Sequence, residues 1–143
     1  MLSLARLLPV LAVLAIAGPT FAAEPFGTFK RPSTGTEVEF YDCGGKLCAK
    51  IVKVTDAAKQ STVGTVIMGG AAKEGDTVWK GDLLNTEDGK TYSGVVTLVD
   101  DSHVRLEGCG LWGLVCKGET WEKVPVDATA STTVPAEAAG EGQ

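Results

Sequence analysis

The sequence predicts an all-β domain, an antiparallel meander that is closed into a barrel or folded as a sandwich. Short runs rich in β-branched and aromatic residues alternate with glycine-rich or acidic turns, and the 143 residues include 18 glycines. No segment after residue 22 has a long helical period. Closely spaced strands of this kind are typical of meander topologies. The length corresponds to one domain with a modest core.

The first segment, residues 1–22, has the pattern of a secretory signal peptide. Arg6 precedes an uncharged run over residues 7–17, and Thr20 and Ala22 suit the −3 and −1 positions of a cleavage site. The run is about half the 20 residues that a membrane-spanning helix needs, and it contains Pro9. We therefore expect cleavage before Ala23, a periplasmic or secreted protein, and no stable membrane span in the mature chain.

Seven strands are predicted between residues 26 and 124. In the first, Val38 and Phe40 lie on one face and Glu37 and Glu39 lie on the other. An Asp-Gly dipeptide at residues 88–89 is typical of a tight hairpin. The predicted strands cover residues 36–41, 47–54, 65–68, 77–84, 91–99, 104–107 and 119–124.

The composition changes after the last predicted strand. Residues 125–143 are mostly Ala, Thr, Pro, Glu and Gly, with little to bury, which predicts a flexible tail. Residues 56–62 favour a single helical turn. The chain is thus divided into a signal peptide at residues 1–22, a β domain at residues 23–124 and a disordered tail at residues 125–143.

The four cysteines form two close pairs in sequence, Cys43 with Cys48 and Cys109 with Cys116. An even number of cysteines in a small exported domain indicates disulfides, and the two local pairings are favoured among the three possible ones. Residues 42–48 are typical of a hairpin tip that a disulfide could join across the turn. A four-thiolate zinc site is the alternative, but the Cys109–Cys116 spacing is wider than such sites use.

Charge and residue types exclude several functions. Eighteen acidic against thirteen basic residues give a net charge of −5, which does not favour nucleic acid as a partner. His103 is the single histidine. Its neighbours Asp100 and Ser102 supply the residue types of a triad, but Ser102 and His103 would point to opposite faces of a strand.

Two further patterns match known functional sites in part but do not predict one here. The glycines of residues 108–113 match a dinucleotide-binding pattern, but no helix follows to receive a pyrophosphate. Glu37 and Glu39 have a spacing that a glycosidase could use, yet their alternation with apolar residues predicts a solvated outer face. We predict a non-catalytic protein with no catalytic residue, metal site or cofactor.

The candidate ligand-binding residues are aromatic, namely Trp79, Tyr92, Trp112 and Trp121. Ligand sites are mostly apolar with a few polar groups, so these side chains could line a pocket. For Trp79 and Tyr92, filling of the core is the favoured alternative. Trp112 lies in an apolar loop between Cys109 and Cys116, where it could form a ligand entrance, contact a partner or fold inward.

Three segments in order resemble the bacterial exported family known as domain of unknown function 2147. They are the Gly-Thr-Phe at residue 27, the hairpin at residues 85–94 and the closing segment at residues 108–124. The family typically ends on a Gln-Thr-Trp-x-Arg run, whereas this chain has Glu119 and Lys123 at those positions. The resemblance implies a small antiparallel β-barrel, similar in outline to lipocalin-like and calycin-like ligand carriers, without an established activity.

Two functions follow from these observations. The first is an envelope protein that binds a small apolar or amphipathic ligand in its barrel. The alternative is an envelope protein-interaction or inhibitor module that acts through surface loops, with the loop of Trp112 as its contact. The chain is expected to be a monomer. An internal cavity favours the first function, and a filled barrel with an exposed Trp112 favours the second.

Overall fold

The computed structural model describes Ala15 and residues 24–126, and these residues form a closed barrel of eight antiparallel strands. Each strand pairs with the next along the chain, and the last pairs with the first. The predicted signal peptide, apart from Ala15, and residues 127–143 of the predicted tail lie outside the described residues. The strands are β1 (Gly27–Lys30), β2 (Glu37–Asp42), β3 (Leu47–Lys53), β4 (Val66–Lys73), β5 (Val78–Asn85), β6 (Lys90–Asp100), β7 (His103–Gly110) and β8 (Val115–Lys123).

The predicted meander is confirmed, with one strand more than the sequence indicated. β1 has only four residues, too few to show alternation. It closes the barrel against β8 through the pairs Phe29–Lys123 and Lys30–Glu122. The predicted helical turn is a 3₁₀ turn at Ala57–Thr62, where the Asp56 carboxylate accepts a hydrogen bond from the Ala58 N–H. No helix within the described residues is long and apolar enough to cross a membrane.

The barrel has two ends, which we name by the connections they carry. The packed end carries the hairpins at residues 43–46, 74–77 and 101–102, and the open end carries the connections at residues 31–36, 54–65, 86–89 and 111–114. β1 begins and β8 finishes at the packed end, where the Val124 N–H donates to the Thr28 carbonyl over 2.7 Å. Both ends of the described domain therefore leave the barrel on the same side.

Large side chains fill the barrel interior toward the packed end. Phe29 meets Phe40 edge to face with ring centroids 5.6 Å apart, and Phe40 meets Trp121 at 6.3 Å. Such aromatic arrangements add to the free energy of simple apolar burial. Further buried residues of this half are Leu47, Met68, Ala71, Trp79, Val96, Leu98 and Val104.

Gly94 shows how closely the middle of the barrel is packed. A Cβ at this position would lie 2.7 Å from the Leu83 Cβ and 2.8 Å from the Met68 Cε. Real side chains do not approach so closely, so only glycine fits here without a shift of its neighbours. Gly94 therefore lets β5 and β6 pack tightly against the Met68 side chain of β4.

The two local disulfides are present, Cys43–Cys48 at the packed end and Cys109–Cys116 at the open end. The first joins the two sides of the β2–β3 hairpin. The second joins β7 to β8 at the directly paired positions 109 and 116. Because disulfides persist in oxidising compartments, this pairing indicates a location outside the reducing cytoplasm.

The acidic face of β2 is on the outside of the barrel. Glu37 forms an ion pair with Lys53 at 3.7 Å, and Glu39 forms one with Lys50 at 3.6 Å. Both lysines belong to the neighbouring strand β3. The two carboxylates are therefore paired across the sheet surface, as the alternation with Val38 and Phe40 predicts, and they do not face a common cleft.

Candidate ligand cavity

A cavity of about 620 Å³ enters the barrel from the open end. Its floor is formed by inward-facing side chains from six strands, β2 to β5, β7 and β8. In an antiparallel sheet every second residue faces the interior, so the alternation in β2 and β3 delivers these side chains to one space. The floor residues are Val38, Ile51, Ile67, Leu83, Leu106 and Trp121.

The cavity exists because β7 presents glycines where other strands present large side chains. Gly108 and Gly110 follow Leu106 at alternate positions and line the cavity. A Cβ at Gly108 would have the Leu83 Cδ2 and the Tyr92 Cβ as its nearest neighbours, each at 3.7 Å. This is ordinary contact distance, so Gly108, unlike Gly94, has room for a side chain.

Trp121 contributes the one polar atom of the floor. Its side chain is 6% exposed, and its indole Nε1 is buried with no hydrogen-bond acceptor among the described residues. An unpaired buried donor lowers stability relative to a paired one. The ring itself packs against Phe40, which fixes its position at the boundary between the cavity and the packed core.

The rim of the cavity is charged, and most of its charges are linked. The Arg31 Nε donates to the Glu119 Oε2 over 2.5 Å, and the Ser33 hydroxyl donates to the same oxygen over 2.9 Å. Glu87 lies 3.6 Å from the Arg31 guanidinium and 3.5 Å from the Lys59 ammonium. The β1–β2 loop, the 3₁₀ turn, the β5–β6 turn and β8 are thus connected across the mouth.

These contacts change the pKa of Glu119. Partial burial by itself would raise it, but the hydrogen bonds from Arg31 and Ser33 and the charge of Arg31 outweigh burial. The pKa of Glu119 therefore lies below its ordinary value of 4.5, and the carboxylate is ionised at neutral pH.

Lys117 is the remaining charged group of the cavity lining. It lies two residues before Glu119 on β8, so both face the interior side of the sheet. Within residues 24–126 it has no carboxylate within ion-pair distance, unlike Arg31 and Lys59. The lining thus carries three cationic groups (Arg31, Lys59, Lys117) against two anionic ones (Glu87, Glu119).

Tyr92 occupies the rim with its ring and the adjoining turn with its hydroxyl. The hydroxyl donates to the Asp88 carboxylate over 2.5 Å. This hydrogen bond lowers the pKa of Asp88 and raises the pKa of Tyr92. It also fixes the tyrosine ring beside Gly110, where a Cβ would lie 3.8 Å from the nearest ring atom.

The structure distributes the four predicted aromatic residues over three places. Tyr92 and Trp121 line the 620 Å³ cavity. Trp79 is buried at the packed end, where it lines a second cavity of about 250 Å³ and lies beneath the Lys73 ammonium at 5.2 Å. Trp112 is exposed on the open-end loop.

Sequence reasoning missed the aliphatic floor and most of the charged rim. Alternation marks an inward position without telling whether that position borders packed atoms or empty space, so it predicts the floor residues only as core. The signal that could have found the cavity is the Leu-x-Gly-x-Gly series at residues 106–110, which removes side chains from successive inward positions. In the sequence, Glu119 stands out only as a departure from a family pattern.

The loop beside the mouth is apolar throughout, and we name residues 111–115 the apolar loop. Leu111, Trp112 and Leu114 are 68%, 99% and 82% exposed, and Val115 is 46% exposed. Leu111 and Val115 also line the cavity. Cys109 and Cys116 close the base of this loop, so its position relative to the mouth is fixed.

The protein is a closed eight-stranded antiparallel barrel with an internal cavity that is open at one end. This arrangement is a lipocalin-like fold, a fold class typical of small-molecule binding. The chain belongs to the family described as an uncharacterized protein conserved in bacteria (DUF2147), which is matched over residues 27–123.

A solved structure shares the fold. It is protein HP1028 from the human pathogen Helicobacter pylori, described as belonging to the lipocalin family. The two chains are 22% identical and superimpose with a TM-score of 0.61 over 73% of this chain and 85% of that chain. No curated protein sequence matches this chain. The likeness supports the lipocalin-like fold.

Proposed function

We propose that this protein is a non-catalytic binding protein of the bacterial cell envelope that holds a small amphipathic molecule in the barrel cavity. The observation that carries the proposal is the cavity of about 620 Å³, with an apolar floor and a charged rim. Sites for small molecules commonly have volumes of about 300–1,000 Å³ and an apolar lining with few polar groups.

The distribution of polarity supports an amphipathic ligand over a purely apolar one. The floor offers aliphatic contacts and the ring of Trp121, which suit a hydrocarbon portion. The rim offers Arg31, Lys59 and Lys117 together with Glu87 and Glu119, which suit a polar head group. A ligand in this orientation would leave its polar end at the solvent side of the mouth.

The location rests on two independent features. The signal-peptide pattern at residues 1–22 supports export, and the two disulfides support an oxidising compartment. A carrier in the periplasm would move poorly soluble molecules through water. An apolar cavity behind a polar rim suits that task.

The first test is native mass spectrometry of the mature protein purified gently from its own envelope. A retained lipid-like mass that is lost on denaturation supports the proposal. A bare monomer at the mass of the two-disulfide chain contradicts it, provided that added amphiphile also fails to bind.

The second test fills the cavity from Gly108. Because a Cβ there has ordinary contacts and the space beyond is empty, Gly108→Leu should fold and reduce binding of the fluorescent amphiphile anilinonaphthalene sulfonate at least tenfold. Gly108→Ala should reduce binding only slightly. Val99→Leu, on the exposed face of β6, is the matched control and should bind like the parent protein. Equal binding by Gly108→Leu and the parent, with both folded, would place the ligand elsewhere.

The apolar loop favours a second candidate, a protein-interaction or inhibitor module. Trp112 is 99% exposed, and tryptophan is enriched among the residues that dominate protein interfaces. Trp112→Ala should weaken a partner contact without unfolding the domain, because the side chain has no packing to lose. Capture of a specific envelope protein by the parent and not by this variant would favour the second candidate.

A further inference from the structure

We infer that the apolar loop, residues 111–115, inserts into the interfacial region of a lipid bilayer and places the cavity mouth against the lipid. The route of ligand entry in this inference rests on the proposed function, whereas insertion of the loop does not. Single exposed apolar residues are ordinary on protein surfaces. Four large ones within five consecutive residues, at one end of the barrel, form a concentrated apolar projection.

The backbone of the loop keeps these side chains outside. Leu111 and Trp112 have φ values of 49° and 55°, in the left-handed region that bulky residues avoid. The conformation is maintained because Gly110 pairs with Val115 and Cys109 is bonded to Cys116 immediately below. Adjacent strained residues of this kind are found where a surrounding framework imposes them for function. Here the framework holds an exposed tryptophan at the tip of a loop.

The chemistry of the loop fits lipid better than a protein partner. Its four side chains offer one hydrogen-bonding group, the indole N–H of Trp112, and no charge. Tryptophan is enriched at membrane–water interfaces, where its ring contacts hydrocarbon and its N–H remains hydrated. Lys117, two residues after Val115, faces the cavity behind the loop, so the loop itself brings no charge to the bilayer.

The continuity of the apolar loop with the cavity indicates that the surface covering the loop is a lipid bilayer. Leu111 and Val115 belong both to the exposed projection and to the cavity lining, so a surface that covers one also covers the mouth. A bilayer is the surface that contains amphipathic molecules in quantity. The ligand could then pass between lipid and barrel floor without crossing water. At the packed end, by contrast, the exposed large apolar residues Phe26, Val99 and Val126 do not form one consecutive segment of the chain.

The net charge indicates how insertion would be driven. At −5 the chain is not attracted as a whole to anionic lipid. Insertion would therefore depend on the apolar side chains, so it should occur on zwitterionic phosphatidylcholine vesicles and persist at high salt concentration.

The test is flotation of the mature, oxidised protein with phosphatidylcholine vesicles. The parent protein should float with the vesicles, and the double variant Trp112→Ala/Leu114→Ala should partition at least tenfold less. Val99→Ala removes an exposed apolar side chain at the other end and should float like the parent. Absence of vesicle binding by the parent, or equal binding by the double variant, would overturn the inference.

Brominated lipids identify the inserted residue. They should quench part of the parent protein's tryptophan fluorescence, because Trp112 is exposed whereas Trp79 and Trp121 are buried. Trp112→Phe should still float, since it keeps an aromatic side chain, but this quenching should disappear. Quenching that persists in Trp112→Phe would contradict insertion of the apolar loop. A dimer of the parent that dissociates in Trp112→Ala, without vesicle binding, would assign the loop to protein contacts instead.

The amphiphile titration separates this inference from the proposed function. The double variant should bind anilinonaphthalene sulfonate in solution as the parent does, because neither Trp112 nor Leu114 lines the cavity. Vesicle binding without amphiphile binding by the parent would refute the proposed function and leave insertion standing. Amphiphile binding without vesicle binding would refute insertion alone.

Discussion

The packed end and the open end of this barrel are built from the same eight strands, yet large side chains fill the interior toward the first and the cavity of about 620 Å³ lies toward the second. Toward the packed end the inward positions carry Phe29, Phe40 and Trp79, all nearly inaccessible. Toward the open end β7 carries Gly108 and Gly110 at inward positions, and a cavity lies beside them. The closed sheet sets the width of the barrel, and residue size at alternate positions decides which half remains empty.

Two glycines show the same contrast at the closest range. Gly94 and Gly108 are directly paired across β6 and β7. A Cβ at Gly94 would collide at 2.7 Å, whereas one at Gly108 would have nothing nearer than 3.7 Å. The absence of a side chain serves close packing at the first position and leaves space at the second. Glycine content alone therefore does not predict a cavity.

The largest expected difference is in the response to loss of a side chain. Phe40→Ala should lower the free energy of unfolding by about 3–5 kcal/mol, because it leaves a void among Phe29 and Trp121. Leu111→Ala should change it by less than about 0.5 kcal/mol, because that side chain is 68% exposed. Urea unfolding of both variants measures the two values. Similar losses would mean that the open end also supports the core.

A smaller difference is expected for gain of a methyl group. Gly94→Ala should destabilise the protein by about 1–3 kcal/mol, because Leu83 and the backbone must shift. Gly108→Ala should be close to neutral. Thermal and urea unfolding of the pair would show whether β6 and β7 differ in packing as described. If Gly94→Ala were as stable as the parent protein, the packed half would have room for an added methyl group.

The smallest effect concerns the rim and depends on pH. The lowered pKa of Glu119 means that its stabilising contribution is complete above the ordinary pKa and is lost as pH falls through the lowered value. Glu119→Gln should therefore reduce stability by less than about 1 kcal/mol at pH 7, and the difference from the parent should shrink at acid pH.

Glu122→Gln is the matched control for this measurement. Glu122 lies on the same strand and has no ion pair within residues 24–126. Glu122→Gln should change the free energy of unfolding at pH 7 less than Glu119→Gln does, because it breaks no ion pair of the described residues. If Glu119→Gln were as stable as the parent at every pH, the link between Arg31 and Glu119 would contribute nothing to the folded state.

Much of the fold could be predicted because it is encoded locally. The alternation around Val38 and Phe40 and the Asp-Gly turn at residues 88–89 each lie within one short segment. The short cysteine spacings likewise favoured both disulfides. β1 was missed because its place is set by pairing with β2 and β8, which brings distant parts of the chain together.

The candidate site was harder to predict, since it depends on what faces each residue across the barrel. Trp121 and Tyr92 reach the cavity, but Trp79, with a similar local pattern, lies at the other end. Arg31 and Glu119 are 88 positions apart, so no spacing rule joins them. Glu119, which departs from the family pattern, does form a specific contact in the structure, with Arg31.

The described domain begins and ends at the packed end, so the barrel has one side suited to attachment and an opposite side that carries the mouth. Because Thr28 and Val124 meet at the packed end, a group attached at Phe26 or Val126 joins the barrel on the side opposite the mouth. A molecule immobilised on a sensor chip through either of these two residues would thus present its cavity and the apolar loop to the solution. Such attachment leaves the proposed lipid-facing surface accessible to vesicles injected over the chip.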